Sequence, residues 1–422
     1  SQDAGANAFS VAVGHQAGKS ISTGVQNTLI GGLAGDALTT GNYNVAVGYE
    51  ALSTEDANGN AVAVGYRALK TLNAGVESYN VAVGVDAGTS ITTGARNVLV
   101  GAFAGDGLTD ADFNVAVGFG ALDVDVLGSK STAVGYGTLE VQNFTTATDT
   151  FNTAVGFEAG HVITTGTNNT LIGGIAGDAL TTGNNNTALG YQALSADTKG
   201  DRAVAIGLGA LAVQNFTTNT DNYNVGAGYF AGGGITTGIF NTIVGGLAAD
   251  ALTEGTRNVA IGKDALTSDT LGSRSTAVGF AALFSQNFTT ATTSYNVAVG
   301  EQAGLNVTTG DQNTFVGALA GDAVTTGTRN VAIGVSTLGS DTLGSRSVAV
   351  GNFALSTQNL TTATNVYNVA VGHEAGTAIT TGTFNTMLGG LAGDALTQGT
   401  RNVALGYGAL TSDTLGSKSV AI

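Results

Sequence analysis

The sequence predicts an all-β fold, a parallel β-solenoid, and three observations carry that expectation. A five-residue core of the type Asn-Val-Ala-Val-Gly returns along the chain, as in "NYNVAVGYEAL" (Asn42–Leu52), "SYNVAVGVDAG" from Ser78 and "VYNVAVGHEAG" from Val366. The core alternates apolar with small or polar residues, the signature of a strand. Its repeat is short and regular, so no unit can bury a hydrophobic face alone, whereas stacked units can.

Aligned on the first position of the core, the 422 residues divide into 24 coils, most of them 17 residues long. Every fourth coil is longer, so six groups of four begin near residues 10, 80, 152, 224, 296 and 368. Residues 1–422 thus read as one continuous array. At about 4.8 Å between neighbouring strands, 24 such coils predict a rod on the order of 115 Å long.

Within a coil each position has a reason. The first is mostly Asn (Asn27, Asn44, Asn80), which is expected to stack as an amide ladder along the axis. The second and fourth are Val, Ile, Leu or Thr and are expected to fill the coil. The third is usually Ala (Ala12, Ala46, Ala63, Ala82, Ala116), a small apolar face then left for a second chain. The fifth is Gly, from Gly14 to Gly406, where the backbone must turn a corner. A further Gly near the end of many coils (Gly41, Gly166, Gly183, Gly310, Gly382) predicts a second corner. Thr recurs just before it, at Thr39, Thr164, Thr181, Thr236, Thr253 and Thr270.

The four-coil rhythm adds detail. The second coil of each group carries a large third residue: Leu29, Leu99, Leu171, Ile243, Phe315 and Met387. Glycines beside them predict compensation of volume. The same coil holds an aspartate column, Asp36, Asp106, Asp178, Asp250, Asp322 and Asp394. Hydrogen bonding to its own turn is the expected role; a weak calcium site completed by backbone carbonyls is the alternative. Members lie four coils apart, roughly 19 Å, and cannot share an ion.

The fourth coil carries the insertion, "QNFTTAT" or a close variant in the second to fifth groups. A four-residue excess must bulge outward. Phe144, Phe216, Phe288 and Leu360, with Tyr223, Tyr295 and Tyr367, are expected either to form a recurring surface-contact knob or to staple the bulge to its own coil. Nine of the 14 basic residues, Arg257 and Arg346 among them, stand immediately before a coil start and are read as solubilising.

Composition bounds the function. The absence of Cys rules out disulfides and thiolate metal sites. A net charge of −16 argues against nucleic acid or anionic membrane as partner, and no apolar run approaches the roughly 18 residues of a membrane span. His15, His161 and His373 fall in separate groups, and no catalytic constellation is visible, so no enzymatic activity is expected. The chain starts at Ser1 and stops at Ile422 inside a repeat strand, and is expected to be a segment of a longer or processed protein.

The motifs "NVAVGYEAL", "NTAVGFEAG" from Asn152 and "NTALGYQAL" from Asn186, with their "TTGxxN" linkers, resemble the head repeats of trimeric autotransporter adhesins and related repeats of phage tail fibres. The resemblance implies a left-handed parallel β-roll, three chains about one axis, a place outside the cell or on a cell or virion surface, and a role in adhesion or host recognition. It supplies no catalytic residues. The expectation is therefore the structural shaft of an extracellular fibre, a homo-oligomer that holds a receptor-binding part at a distance. The alternatives are an ice- or crystalline-surface-binding solenoid using Thr and Asn arrays, and a polysaccharide-processing β-helix.

Overall fold

A strand of three residues that ends on an obligatory glycine can pair only with its own copies above and below, and that pairing builds the molecule. The structure, a computed structural model of the chain, describes residues 8–422. It is an all-β parallel solenoid of about 24 turns. The chain divides into two compact units, one comprising the residues up to Ala203 with Asn215–Asp221, the other Val204–Gln214 with Asn222–Ile422.

In the first unit the strand of each coil pairs in parallel and in register with the next, Val45 opposite Val62, Ala46 opposite Ala63 and Val47 opposite Val64. The second unit repeats this, with Val331 opposite Val348 and Ala332 opposite Ala349. The corner glycines are forced by two constraints. Gly317 has φ +134°, and a Cβ there would stand 2.5 Å from the carbonyl oxygen of Gly334 in the next coil. Stacked corners leave no room for a side chain.

The interior is the reverse of the expectation. Ala46, Ala63, Ala82 and Ala116 are completely buried inside their own coil, while the flanking Val residues point outward, Val83 beside Ala82 at 37% exposure. The lumen is narrow, so the smaller side chain goes in. Ala12, in the first described coil, is the exception and is exposed.

The large third residues sit within this lumen and their volume is compensated as predicted. Phe315 lies between Ala298 and Ala332 on the adjacent coils, and a Cβ on Gly321 would meet its ring at 2.5 Å. In the first group Gly35 and, in the preceding coil, Gly18 yield space to Leu29, whereas Gly32 faces the ring of Tyr49. In the third and fourth coils of a group, where the third residue is Ala, a buried Leu such as Leu52 or Leu69 stands at the position that Gly35 holds in the second.

The asparagine column is buried and fully engaged. Asn44 Nδ2 donates to Asn58 O at 3.0 Å within its own coil. Its Oδ1 accepts the backbone N–H of Ala61 in the next coil at 3.0 Å. Each amide thus closes one coil and joins it to another, rather than stacking only on its like. The late Thr column is spoken for in the same way: Thr253 donates its hydroxyl proton to Thr270 O at 2.9 Å, and Thr164 to Thr181 O at 3.1 Å.

Candidate functional surface

The insertions turn inward as well as outward. Phe144, Phe216, Phe288 and Leu360 are each only 6% exposed, so they are not surface-contact knobs; they staple the bulge to its coil. The anchor is a buried aspartate that sequence reasoning missed. Asp269 Oδ1 accepts the backbone N–H of Gly272 and of Phe288, both at 3.1 Å, and its Oδ2 accepts Gln286 Nε2 at 2.5 Å. Gln286 Oε1 then accepts Asn296 Nδ2 at 2.8 Å. Asp125 with Gln142 and Asp341 with Gln358 repeat the arrangement. Burial pushes all three carboxyls above the usual aspartate range, against the lowering effect of these hydrogen bonds.

The aspartates singled out from the sequence lie elsewhere, half-buried, along an outer row of each unit. Asp322 accepts backbone hydrogen bonds from itself and Ala323, as expected for a turn. Asp178 does the same with Ala179, and Asp250 accepts the hydroxyl of Thr267. One of the carboxyl oxygens of Asp36, Asp178 and Asp394 is buried without a partner. Asp106 differs, because the next coil presents Asp123 at the same position. Burial, together with a hydrogen bond and repulsion from Asp123, pushes Asp106 up to about 8. Further along this row His161 Nδ1 stands 3.5 Å from Glu140 Oε2 and 3.1 Å from Gly137 O. Among the described residues no group of three or more His, Asp or Glu is arranged to hold a metal ion.

Tyr223, Tyr295 and Tyr367 are exposed, at 48%, 52% and 43%. They share one column with the basic residues, a relation the sequence contained, since both stand immediately before a coil start. In the second unit the column packs ring against cation: Arg257 over Phe240 at 5.3 Å, Arg274 over Tyr295 at 5.5 Å, Arg346 over Tyr367 at 5.4 Å and Arg401 over Phe384 at 5.6 Å. Tyr367 and Phe384 stack at 5.5 Å. All these residues hold left-handed backbone, φ 49–63° for Tyr223, Phe240, Arg257, Arg274 and Tyr295, which aims them outward from the corner.

Beside the column runs the outward side of the strands, whose fourth position is apolar in every coil, Val244, Ile261, Val299, Ile333 and Leu388 being 36–46% exposed, while the second is Val or Thr. A second aromatic row flanks it in the first unit, where Phe119, Tyr136 and Phe157 stack in succession at 5.6 and 5.3 Å. Comparison with family models and with curated proteins returned no match for this chain.

Proposed function

We propose that the chain is the shaft of an extracellular fibre, a phage tail fibre or a bacterial surface adhesin, in which three copies of a left-handed roll meet along the Val and Ile side of their strands and hold a receptor-binding part away from the surface. The observation that carries this reading is the outward strand face. Its fourth position is apolar in coil after coil and its second is Val in most, and exposed apolar surface that recurs in this way marks an interaction site in soluble proteins. A strand apolar on both sides is expected to be covered on both. The lumen covers the Ala side, so the Val side calls for the second chain. Internal hydrogen-bond columns suit a part whose work is stiffness. The late Thr hydroxyls donate within the chain, which leaves the ice-binding alternative without a free array there.

The mass of the native particle by light scattering tests the assembly, and three chains are expected. A Val331→Lys/Val348→Lys variant places charge in the face and should release single, folded chains. A native chain that stays single at all concentrations would sink the shaft reading.

A further inference from the structure

We infer that the cation–aromatic column of the second unit is a binding track for an anionic polysaccharide. The inference deepens the fibre reading by naming the chemistry such a fibre would meet, yet it is tested independently of chain number.

The argument begins with charge. The chain has 30 acidic and 14 basic residues, so an average cation should find a carboxylate with ease. Elsewhere cations do: Lys70 pairs with Glu50, Arg67 with Asp86 and Lys263 with Asp264. In the second unit Arg257, Arg274, Arg346 and Arg401 have no carboxylate within ion-pair distance among the described residues, and their partners are rings. Arg274 also donates to the hydroxyl of Tyr295 at 2.5 Å. Ring stacking fixes the direction of a guanidinium without neutralising it, which leaves its remaining N–H groups for an outside anion.

The spacing is that of a polymer site. The cations come in neighbouring pairs on successive coils, Arg257 with Arg274 and Arg329 with Arg346, members of a pair about 4.8 Å apart and pairs roughly 19 Å apart. Exposed rings alternate with the pairs and offer apolar edges to sugar carbons beside the charges. A second copy is a poor occupant: along the opposite margin of the same strand face, from Tyr229 to Tyr407, the only carboxylate is Glu301.

The test uses the whole chain and two probes, polygalacturonate for carboxylates and heparin for sulfates, with dextran as the neutral control. Titration calorimetry from about 50 mM to about 500 mM NaCl should show binding to at least one anionic probe, weakening with salt, and none to dextran. Which probe binds identifies the anion. In Arg257→Gln/Arg274→Gln/Arg329→Gln/Arg346→Gln the affinity should fall about tenfold or more. Gln is compatible with the backbone, because Gln312 occupies the same column at φ 57°. Lys19→Gln/Lys199→Gln removes charge outside the column and should bind like the native chain. Tyr295→Ala/Tyr367→Ala should weaken the polysaccharide more than it weakens inorganic polyphosphate. No binding of either anionic probe at low salt, equal loss in both charge variants, or preference for DNA over both polysaccharides would each overturn the inference. Light scattering on the same samples reads chain number separately.

Discussion

The first insertion and the later ones solve one problem with different side chains. In the later groups a short buried acid, Asp125 or Asp269, reaches the inserted loop through a glutamine and one backbone N–H, and accepts a second backbone N–H from its own turn. In the first group the insertion is two residues shorter, and Leu72 stands where the others have Gln. There the acid is Glu55, whose Oε1 accepts Asn58 N at 3.0 Å and whose Oε2 accepts Ala74 N at 3.3 Å. One methylene more in the acid replaces the reach that the amide provides. The lesson is that the bulge is held by a polar anchor inside the coil, and that its outer residues are free to vary.

Breaking the anchor tests this most directly. Asp269→Ala leaves two backbone N–H groups and one N–H of the Gln286 amide unpaired and should destabilise the second unit by roughly 3 kcal/mol in urea unfolding. Gln286→Leu, which installs the first group's residue without its longer acid, should cost about 1–2 kcal/mol. A loss as large as that of Asp269→Ala would mean the amide rather than the acid is the anchor.

The acid should also show in pH dependence. Burial raises Asp125, Asp269 and Asp341 above their unfolded values. Their contribution is then fully present below the unfolded value of about 3.9 and is lost as pH rises through the raised folded value. The melting temperature of the native chain relative to Asp269→Asn should therefore fall with rising pH, and a gap that widens upward would show the hydrogen bonds outweighing burial. In the outer row, Asp106 is half-buried and has its folded value near 8. Asp106→Asn should be more stable than the native chain above that pH, by a modest shift in melting temperature, and should lose the advantage below it. The smallest effect belongs to the loop's own apolar plug. Phe288→Leu copies the residue at Leu360, equally buried, and should cost less than about 1.5 kcal/mol.

Much of this was legible in sequence, and what was not has physical causes. Alternation revealed the strand but not its sign, because Val and Ala are both apolar and period alone does not say which side is inside. The clue was present in Phe315 and its glycine: only an enclosed position needs its neighbours to shrink when it grows. The buried Asp269 escaped notice because acids are read as exposed, although it occupies a position that is Leu, Ile or Val in most other coils, such as Leu252 and Val324. Arginine and tyrosine both precede a coil start, yet in sequence they read as two patterns, one solubilising and the other part of the insertion. Stacking makes them one. The outer aspartates were recognised as a column, but the pairing of Asp106 with Asp123 lies outside the four-coil rhythm and is visible only when successive coils are superposed.

The polar anchor has a consequence for how such a gene can change length. Asp269 belongs to the third coil of its group and Gln286 to the fourth. Loss or gain of a single 17-residue coil between them would strand a buried carboxylate without its amide, whereas loss or gain of a whole group leaves every such pair intact. Recombination that parts a third coil from its fourth is therefore disfavoured, and the 72-residue group is a step of variation that preserves every anchor.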